Sequence, residues 1–220
     1  MIKIENLTKS YRTPQGRHYI FKDLNIELPS GKSVALIGRN GAGKSTLLKM
    51  IGGIDRPDSG RIITDKTISW PVGLAGGFQG SLTGRENVKF VARLYAAKNE
   101  LKEKVAYVEA FSELGHYFDM PIKTYSSGMR SRLGFGLSMA FRFDYYLVDE
   151  VMAVGDDRFK RKCKEVFGQR HKEASFLMVA HSHSLLKEYC DVALLFDGES
   201  NCHFYDSIDE ALKMYSELQG

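Results

Sequence analysis

No stretch of the 220-residue chain approaches the roughly 18 consecutive apolar residues that a membrane-spanning helix needs. The longest apolar runs, near Phe176–Ala180 and Val192–Phe196, have the length of strands. The N-terminal Met1-Ile2-Lys3-Ile4-Glu5 alternates polar and apolar residues and lacks a signal-peptide core. The expectation is a protein that stays in the cytoplasm and meets a membrane only through a partner that crosses it. Cysteine is scarce. Cys163, Cys190 and Cys202 are odd in number and have no metal-ligand spacing, which points to free thiols in a reducing compartment. An excess of one charge is also missing. Lys plus Arg total 31 against 27 Asp plus Glu, and the resulting +4 is spread along the chain, so nucleic acid is not an expected partner. Internal repeats and low-complexity segments are absent as well.

What remains is an ordinary globular balance, 43% hydrophobic and 26% charged, in a length that suits one domain or one core with a smaller lobe. Ile2–Leu7 and Ile20–Leu28 alternate as strands, on either side of a turn signal at Pro14-Gln15-Gly16. Ser33–Ile37 is a short apolar run, as in a buried parallel strand. Ser45–Ile51 has a helical pattern, and Pro57–Gly60 turns into a strand at Arg61–Ile63. The middle changes character: from about Thr83 to Phe118 it is helical and charged, and another helix is expected over Ser127–Phe141. Tyr145–Val148, Phe176–Val179 and Val192–Phe196 read as buried strands, with a helix between the first two. Strands alternating with helices predict an α/β fold with a mainly parallel sheet covered on both faces. The early antiparallel strands and the central helical block read as insertions on that core.

Gly38-Arg39-Asn40-Gly41-Ala42-Gly43-Lys44-Ser45 satisfies the whole G-x-x-x-x-G-K-[ST] pattern, after a strand and before a helix. Its glycines let successive N–H groups turn inward on a phosphate, and the helix N-terminus adds positive potential. Lys44 is expected to reach the β- and γ-phosphates and Ser45 to ligate Mg²⁺, with Thr46 near the α-phosphate. Tyr145–Val148 ends at Asp149-Glu150, and a strand delivers acids at its C-terminal end to the crevice where such sheets bind ligands. Asp149 is expected to hold Mg²⁺, directly or through water. Glu150, beside the metal but not on it, is expected to orient and deprotonate the attacking water. Phe176–Ala180 ends in the same way at His181, placed to contact the γ-phosphate and stabilise transition-state charge. His183 reads as incidental. Tyr125-Ser126-Ser127-Gly128-Met129 precedes a helix, and on local evidence it is a helix cap whose N–H groups form a second anion site.

The order of phosphate loop, serine-rich segment, acidic pair and histidine resembles the ATPases of ABC transporters over essentially the whole chain. Ser126-Ser127-Gly128-Met129 stands where that family has Ser-Gly-Gly-Gln, so Ser127 and Met129 depart from the pattern, as Val151-Met152 departs from the usual Pro-Thr after the acidic pair. Asp156 matches the aspartate of the family's dimer-facing loop. The resemblance implies that an aromatic residue stacks on adenine, Tyr11 or, given the intervening loop, Tyr19. It also implies a linking-loop glutamine that ligates Mg²⁺. Gln79 is nominated, although the generic spacing points nearer Leu74. The implied fold is one ABC nucleotide-binding domain over 1–220, a P-loop NTPase core with an N-terminal antiparallel β subdomain and an inserted α-helical subdomain at about 76–140.

Leu82-Thr83-Gly84-Arg85-Glu86-Asn87, the segment Asp149 to Asp156, Trp70–Leu74 and Gly76–Ser81 further resemble the branch that exports capsular polysaccharide of the polysialic-acid, group 2 kind. O-antigen relatives often carry a long C-terminal carbohydrate-binding domain, and this chain stops soon after the core. The resemblance implies ATP and Mg²⁺ as cofactors and a polytopic permease as partner. It implies a head-to-tail homodimer in which Ser126, Ser127 and Gly128 of one copy close on the other's γ-phosphate, and a place at the cytoplasmic face of the inner membrane, reached only through the permease. The alternatives are an O-antigen or teichoic-acid exporter and a soluble ABC ATPase of DNA repair or translation. The soluble class usually has tandem cores or coiled-coil insertions, which this chain lacks.

Overall fold

The computed structural model describes residues 1–73, 77–149, 156–198 and 202–218. The chain divides into two compact units: 1–71 with 143–150 and 173–220, and 72–142 with 151–172.

The first unit is built on strands with little or no polar face. β3 (Val34–Gly38), β6 (Tyr145–Asp149), β7 (Ser175–Val179) and β8 (Val192–Phe196) are buried along nearly their whole length. Such strands belong inside a parallel sheet. They form a six-stranded sheet in the order β5-β6-β7-β3-β8-β9, parallel except at the β8–β9 edge. The two edge strands, β5 (Ile68–Pro71) and β9 (Cys202–Tyr205), are additions to the sequence reading. Pro71 cannot donate to a ladder, which suits the edge position and accompanies the register shift between Ile68 and Pro71. At buried Ser69 the side chain supports the ladder: its Oγ accepts from Leu147 N–H at 3.0 Å.

A second, antiparallel sheet has the order β2-β1-β4, with β1 (Ile2–Thr13), β2 (Gly16–Leu28) and β4 (Ser59–Thr64). The expected turn joins β1 and β2, and Thr13 pairs with Gly16 across it. Ile2, Leu7 and Phe21 of this sheet share one apolar core with Leu36, Leu47, Leu48, Leu147, Leu177 and Leu194. α1 (Lys44–Ile51) presents Leu47, Leu48, Met50 and Ile51 to that core. α6 (His183–Tyr189) follows β7, and α7 (Ile208–Glu217) closes the unit behind a Ser207 cap.

The second unit is helical. The expected block from Thr83 to Phe118 resolves into α2 (Gly84–Tyr95), α3 (Leu101–Ser112) and a 3-10 turn over Gly115–Asp119. α4 (Ser127–Ala140) and α5 (Asp157–His171) complete it. Its core centres on Phe111, which stacks on Phe135 with centroids 5.7 Å apart and meets Phe159 edge-on at 5.5 Å. Arg85 forms ion pairs with Glu109 of α3 and Asp119 of the turn while lying over the Phe118 ring, so one guanidinium joins three segments. The α/β class, the mainly parallel sheet, the antiparallel β subdomain and the inserted helices are as the sequence predicts. All three cysteines are free, and burial pushes the thiols of Cys163 and Cys190 up to about 12 and that of Cys202 to about 11.

Candidate functional site

Three neighbouring parallel strands bring the first unit's candidate residues to one sheet edge. β3 lies between β7 and β8, and β6 lies beside β7. Parallel strands share their C-terminal edge, so the phosphate loop after β3, Asp149 at the end of β6 and His181 just beyond β7 all emerge there. Asp149 pairs directly with Val179, two residues before His181. β7 stops at Val179, so His181 sits in the turn before α6 rather than at a strand terminus.

The loop's glycines answer specific constraints. Gly43 precedes α1 with φ of 95°, and a Cβ there would collide with Ile20 and Phe21. Gly38 has φ of 152°, and its missing Cβ leaves room for Phe196. Ala42 N–H closes the turn onto Arg39 O at 3.2 Å. Lys44 Nζ donates to Gly38 O at 2.7 Å and Arg39 O at 2.8 Å, so the ammonium lies over its own loop. Arg39 donates in turn to Leu218 O at 2.6 Å, tying the loop to the end of α7. Gly38, Asn40 and Lys44 line one pocket together with Ala180, His181 and His183. His183, which reads as incidental in sequence, therefore faces the same space as His181. Gly41 is exposed, while Ser45 and Thr46 are half-buried in the first turn of α1.

Ser45 and Asp149 contribute only hard oxygen donors, and among the described residues no three His, Cys, Asp or Glu side chains cluster as a metal cage. That set fits Mg²⁺, which is held by one or two protein oxygens plus substrate phosphates and water rather than by a full protein cage.

Both candidate aromatic residues lie on the antiparallel sheet. Tyr11 is 42% exposed, donates its hydroxyl to Asp55 Oδ2 at 2.8 Å, and carries Lys9 Nζ 5.0 Å from its ring centroid. Its hydroxyl also lies beside the Thr46 side chain. Tyr19 is 36% exposed with Lys22 Nζ 4.6 Å from its ring.

The other candidates belong to the second unit. Ser126 caps α4: its Oγ accepts from Met129 N–H at 3.2 Å. Ser127 opens the helix, and Gly128 has open space around its missing Cβ, with only Ser126 Oγ at 3.9 Å. Asp156 caps α5 by accepting from Phe159 N–H at 2.9 Å and pairs with Arg132 at 2.8 Å. The hydrogen bond from Phe159, then the Arg132 charge, hold its carboxyl below the usual range. Gln79 has an exposed side chain, and Asn87 grips its backbone. Asn87 Oδ1 accepts from Gln79 N–H at 2.8 Å, and its Nδ2 donates to Gln79 O at 3.1 Å and Thr83 O at 2.9 Å. The same loop accepts backbone bonds from the segment ahead of α4, Lys123 N–H to Gly80 O at 2.9 Å and Ile122 N–H to Leu82 O at 3.0 Å. Glu150, the expected base, lies outside the described residues, as do Leu74 and residues 151–155.

Sequence reasoning missed Asn87, Arg85 and the Lys9–Asp55 pair. Asn87 and Arg85 stand inside the quoted Leu-Thr-Gly-Arg-Glu-Asn segment, which was the available signal. Lys9 and Asp55 offered none, because nothing local marks a strand lysine and a turn aspartate as partners.

Comparison with known proteins gives consistent matches. Residues 21–153 match the family model described as ABC transporter. The chain is 76% identical to the polysialic acid transport ATP-binding protein KpsT of Escherichia coli over 99% of both chains. It is 43% identical to the capsule polysaccharide export ATP-binding protein CtrD of Neisseria meningitidis, over 99% of this chain and 100% of that one. Its fold matches the dimeric, post-hydrolysis ATP-binding cassette MJ0796 bound to ADP and Pi with a TM-score of 0.74 at 19% identity, over 93% of this chain and 98% of that one.

Proposed function

The chain belongs to the ABC transporter ATPase family, and on that premise we propose that it is the ATP-hydrolysing subunit that powers capsular polysaccharide export across the inner membrane through a separate polytopic permease. The observation that carries this reading is the full-length identity of 76% to a polysialic acid transport ATP-binding protein. No helix among the described residues is long and apolar enough to cross a membrane, so the lipid-spanning path falls to the permease. This chain then works at the cytoplasmic face, held there by its partner.

In this reading the backbone from Gly38 to Ser45 cradles the phosphates of ATP. Lys44, now lying over Gly38 and Arg39, swings its ammonium to the β- and γ-phosphates. Tyr11 stacks on adenine. Ser45 and Asp149 hold Mg²⁺, with Gln79 as the further oxygen donor. The chemistry a bound Mg²⁺ supplies is neutralisation of charge on the β- and γ-phosphate oxygens. Glu150 orients the attacking water and takes its proton. His181, facing the pocket that Lys44 lines, steadies charge on the γ-phosphate.

Two copies pack head to tail. Ser126, Ser127 and Gly128, with the free N–H groups at the start of α4, meet the γ-phosphate held by the other copy. Binding energy that exists only in the closed dimer gives the differential affinity a switch requires. The segment from Phe78 to Asn87 docks the permease and passes the motion on. Its backbone is bonded to the segment that leads into α4, so signature and docking loop move as one piece.

The test is capsule assembly in a strain lacking this chain. Wild-type protein restores surface polysaccharide, and Lys44→Ala does not, although it is made in equal amount and recovered with the permease. Restoration by Lys44→Ala would refute the reading.

A further inference from the structure

Lys9 is a lysine with 7% of its surface exposed, on a strand that ends at the candidate adenine platform. Such an ammonium needs a partner, and Asp55 supplies one at 2.7 Å, with Arg56 O accepting a second bond at 2.8 Å. Asp55 is not left to that task alone. Its Oδ1 also accepts from Arg56 N–H at 2.8 Å, and its Oδ2 accepts from the Tyr11 hydroxyl at 2.8 Å. The turn that carries Asp55 is itself fastened. Ile54 and Asp55 N–H groups bond back to Lys49 O in α1, and Asp58 caps the turn by taking Ser10 N–H and Oγ at 2.8 and 2.5 Å.

Tyr11 is thus held at two points although its ring is largely exposed. Its hydroxyl is fixed by a carboxylate anchored to the C-terminal end of α1, the helix that begins in the phosphate loop. Lys9 covers its ring at 5.0 Å. A ring held at its tip and covered on one side has one orientation in which to receive a flat ligand. Burial lowers the affinity of Lys9 for its proton, but the hydrogen bond and charge of Asp55 outweigh that and raise it above the ordinary value. The Lys9 hydrogen bond, opposed by burial and reinforced by Tyr11, holds Asp55 below the usual carboxylate range. The pair is therefore ionised at neutral pH.

We infer that Asp55 is a positioning residue for nucleotide binding: with Lys9 it locks the Tyr11 ring so that its open face is set for the adenine base before ATP arrives. This rests on the assignment of Tyr11 as the base platform. Ordering the ring in advance removes an entropy cost from binding the base and leaves the phosphate contacts untouched. Asp55 does not touch the reacting atoms, and it reaches the nucleotide through Tyr11.

The experiment measures calorimetric affinity for ATP and for inorganic tripolyphosphate, a probe with no base, together with KM and kcat on the full chain with its permease. Asp55→Ala raises the Kd and KM for ATP about three- to tenfold, with kcat and tripolyphosphate affinity held. Tyr11→Phe, which deletes only the hydroxyl that Asp55 holds beside Thr46, raises the ATP Kd by the same factor and keeps the test valid if Asp55→Ala does not fold. The double variant is no worse than either single one, and Asp55→Asn, which keeps an amide beside the hydroxyl, recovers most of the affinity. A matching loss of tripolyphosphate affinity, additive losses in the double variant, or wild-type ATP affinity in Tyr11→Phe would each overturn the inference. Tyr11→Ala separates it from its premise. An undiminished ATP affinity there refutes the platform assignment. A weakened affinity beside an unaffected Tyr11→Phe refutes the positioning role of Asp55 alone.

Discussion

Asp149 pairs with Val179 across β6 and β7, so its carboxylate leaves the sheet at the same edge from which His181 emerges two residues later. One register thus delivers an acid and a histidine beside the loop after β3, because all three strands are parallel. A slip of one residue on β7 would carry the buried side chains of the strand to the opposite face of the sheet and displace the turn that holds His181. The chemistry of the site depends on the sheet's hydrogen bonding as much as on the identity of its side chains.

The dimer is tested by mixing. A copy carrying Ser126→Ala retains its own phosphate loop, and a copy carrying Lys44→Ala retains its own signature. In a dimer of one of each, one composite site combines both lesions and the other has neither. Mixed dimers should therefore recover about half the wild-type turnover, while each variant alone shows little. Turnover in the mixture no higher than that of either variant alone would rule out sharing across the interface.

Asn87 holds the loop that carries Gln79. It is 4% exposed, and its side chain pairs with both backbone groups of Gln79. Asn87→Ala leaves Gln79 N–H without its partner, while Gln79 O keeps its bond from Leu82 N–H, and should destabilise the protein by about 1–3 kcal/mol, with a lower thermal midpoint. Asn87→Asp keeps the acceptor for Gln79 N–H and should cost less. A midpoint unchanged by the alanine variant would show that the loop is held otherwise.

Acid should destabilise the fold through carboxylates that are already paired. Asp144 accepts from Thr67 N–H at 2.8 Å and Thr67 Oγ1 at 2.7 Å, and these bonds hold it below the usual range, as Lys9 and Tyr11 hold Asp55. A depressed native pKa stabilises the fold fully above the unfolded value, near 3.9 for aspartate, and that contribution disappears as pH falls through the native value. The denaturant midpoint should be flat from neutral pH to about 5 and then fall. In Asp144→Asn the acid limb should be shallower, and a limb identical to wild type would remove Asp144 from the account.

The residues legible in sequence were those whose chemistry is written in one short segment. Gly38 to Ser45 announces itself because the backbone must bend where glycine alone fits, and Tyr145–Val148 because a doubly buried strand reads as a near-continuous hydrophobic run. The missed features are of another kind. β5 is four residues long with a proline, so no periodicity marks it, and its place at the sheet edge is what makes Pro71 tolerable. Lys9 and Asp55 are ordinary surface residues in sequence and become a half-buried ion pair only when β4 brings the turn back against β1. Ser126 shows the limit of local reading: the structure shows the helix cap expected from its neighbours, while the role proposed for it across a dimer is not written in its local sequence.

Glu150 is the base of the hydrolysis proposed above. The most direct measurement is single-turnover hydrolysis by Glu150→Gln beside its equilibrium affinity for ATP. The side chain keeps its size and loses its basicity. The account predicts ATP affinity close to wild type and a rate lower by about 10²- to 10⁴-fold. Wild-type turnover in Glu150→Gln would contradict it, because the proton of the attacking water would then be taken by some other group.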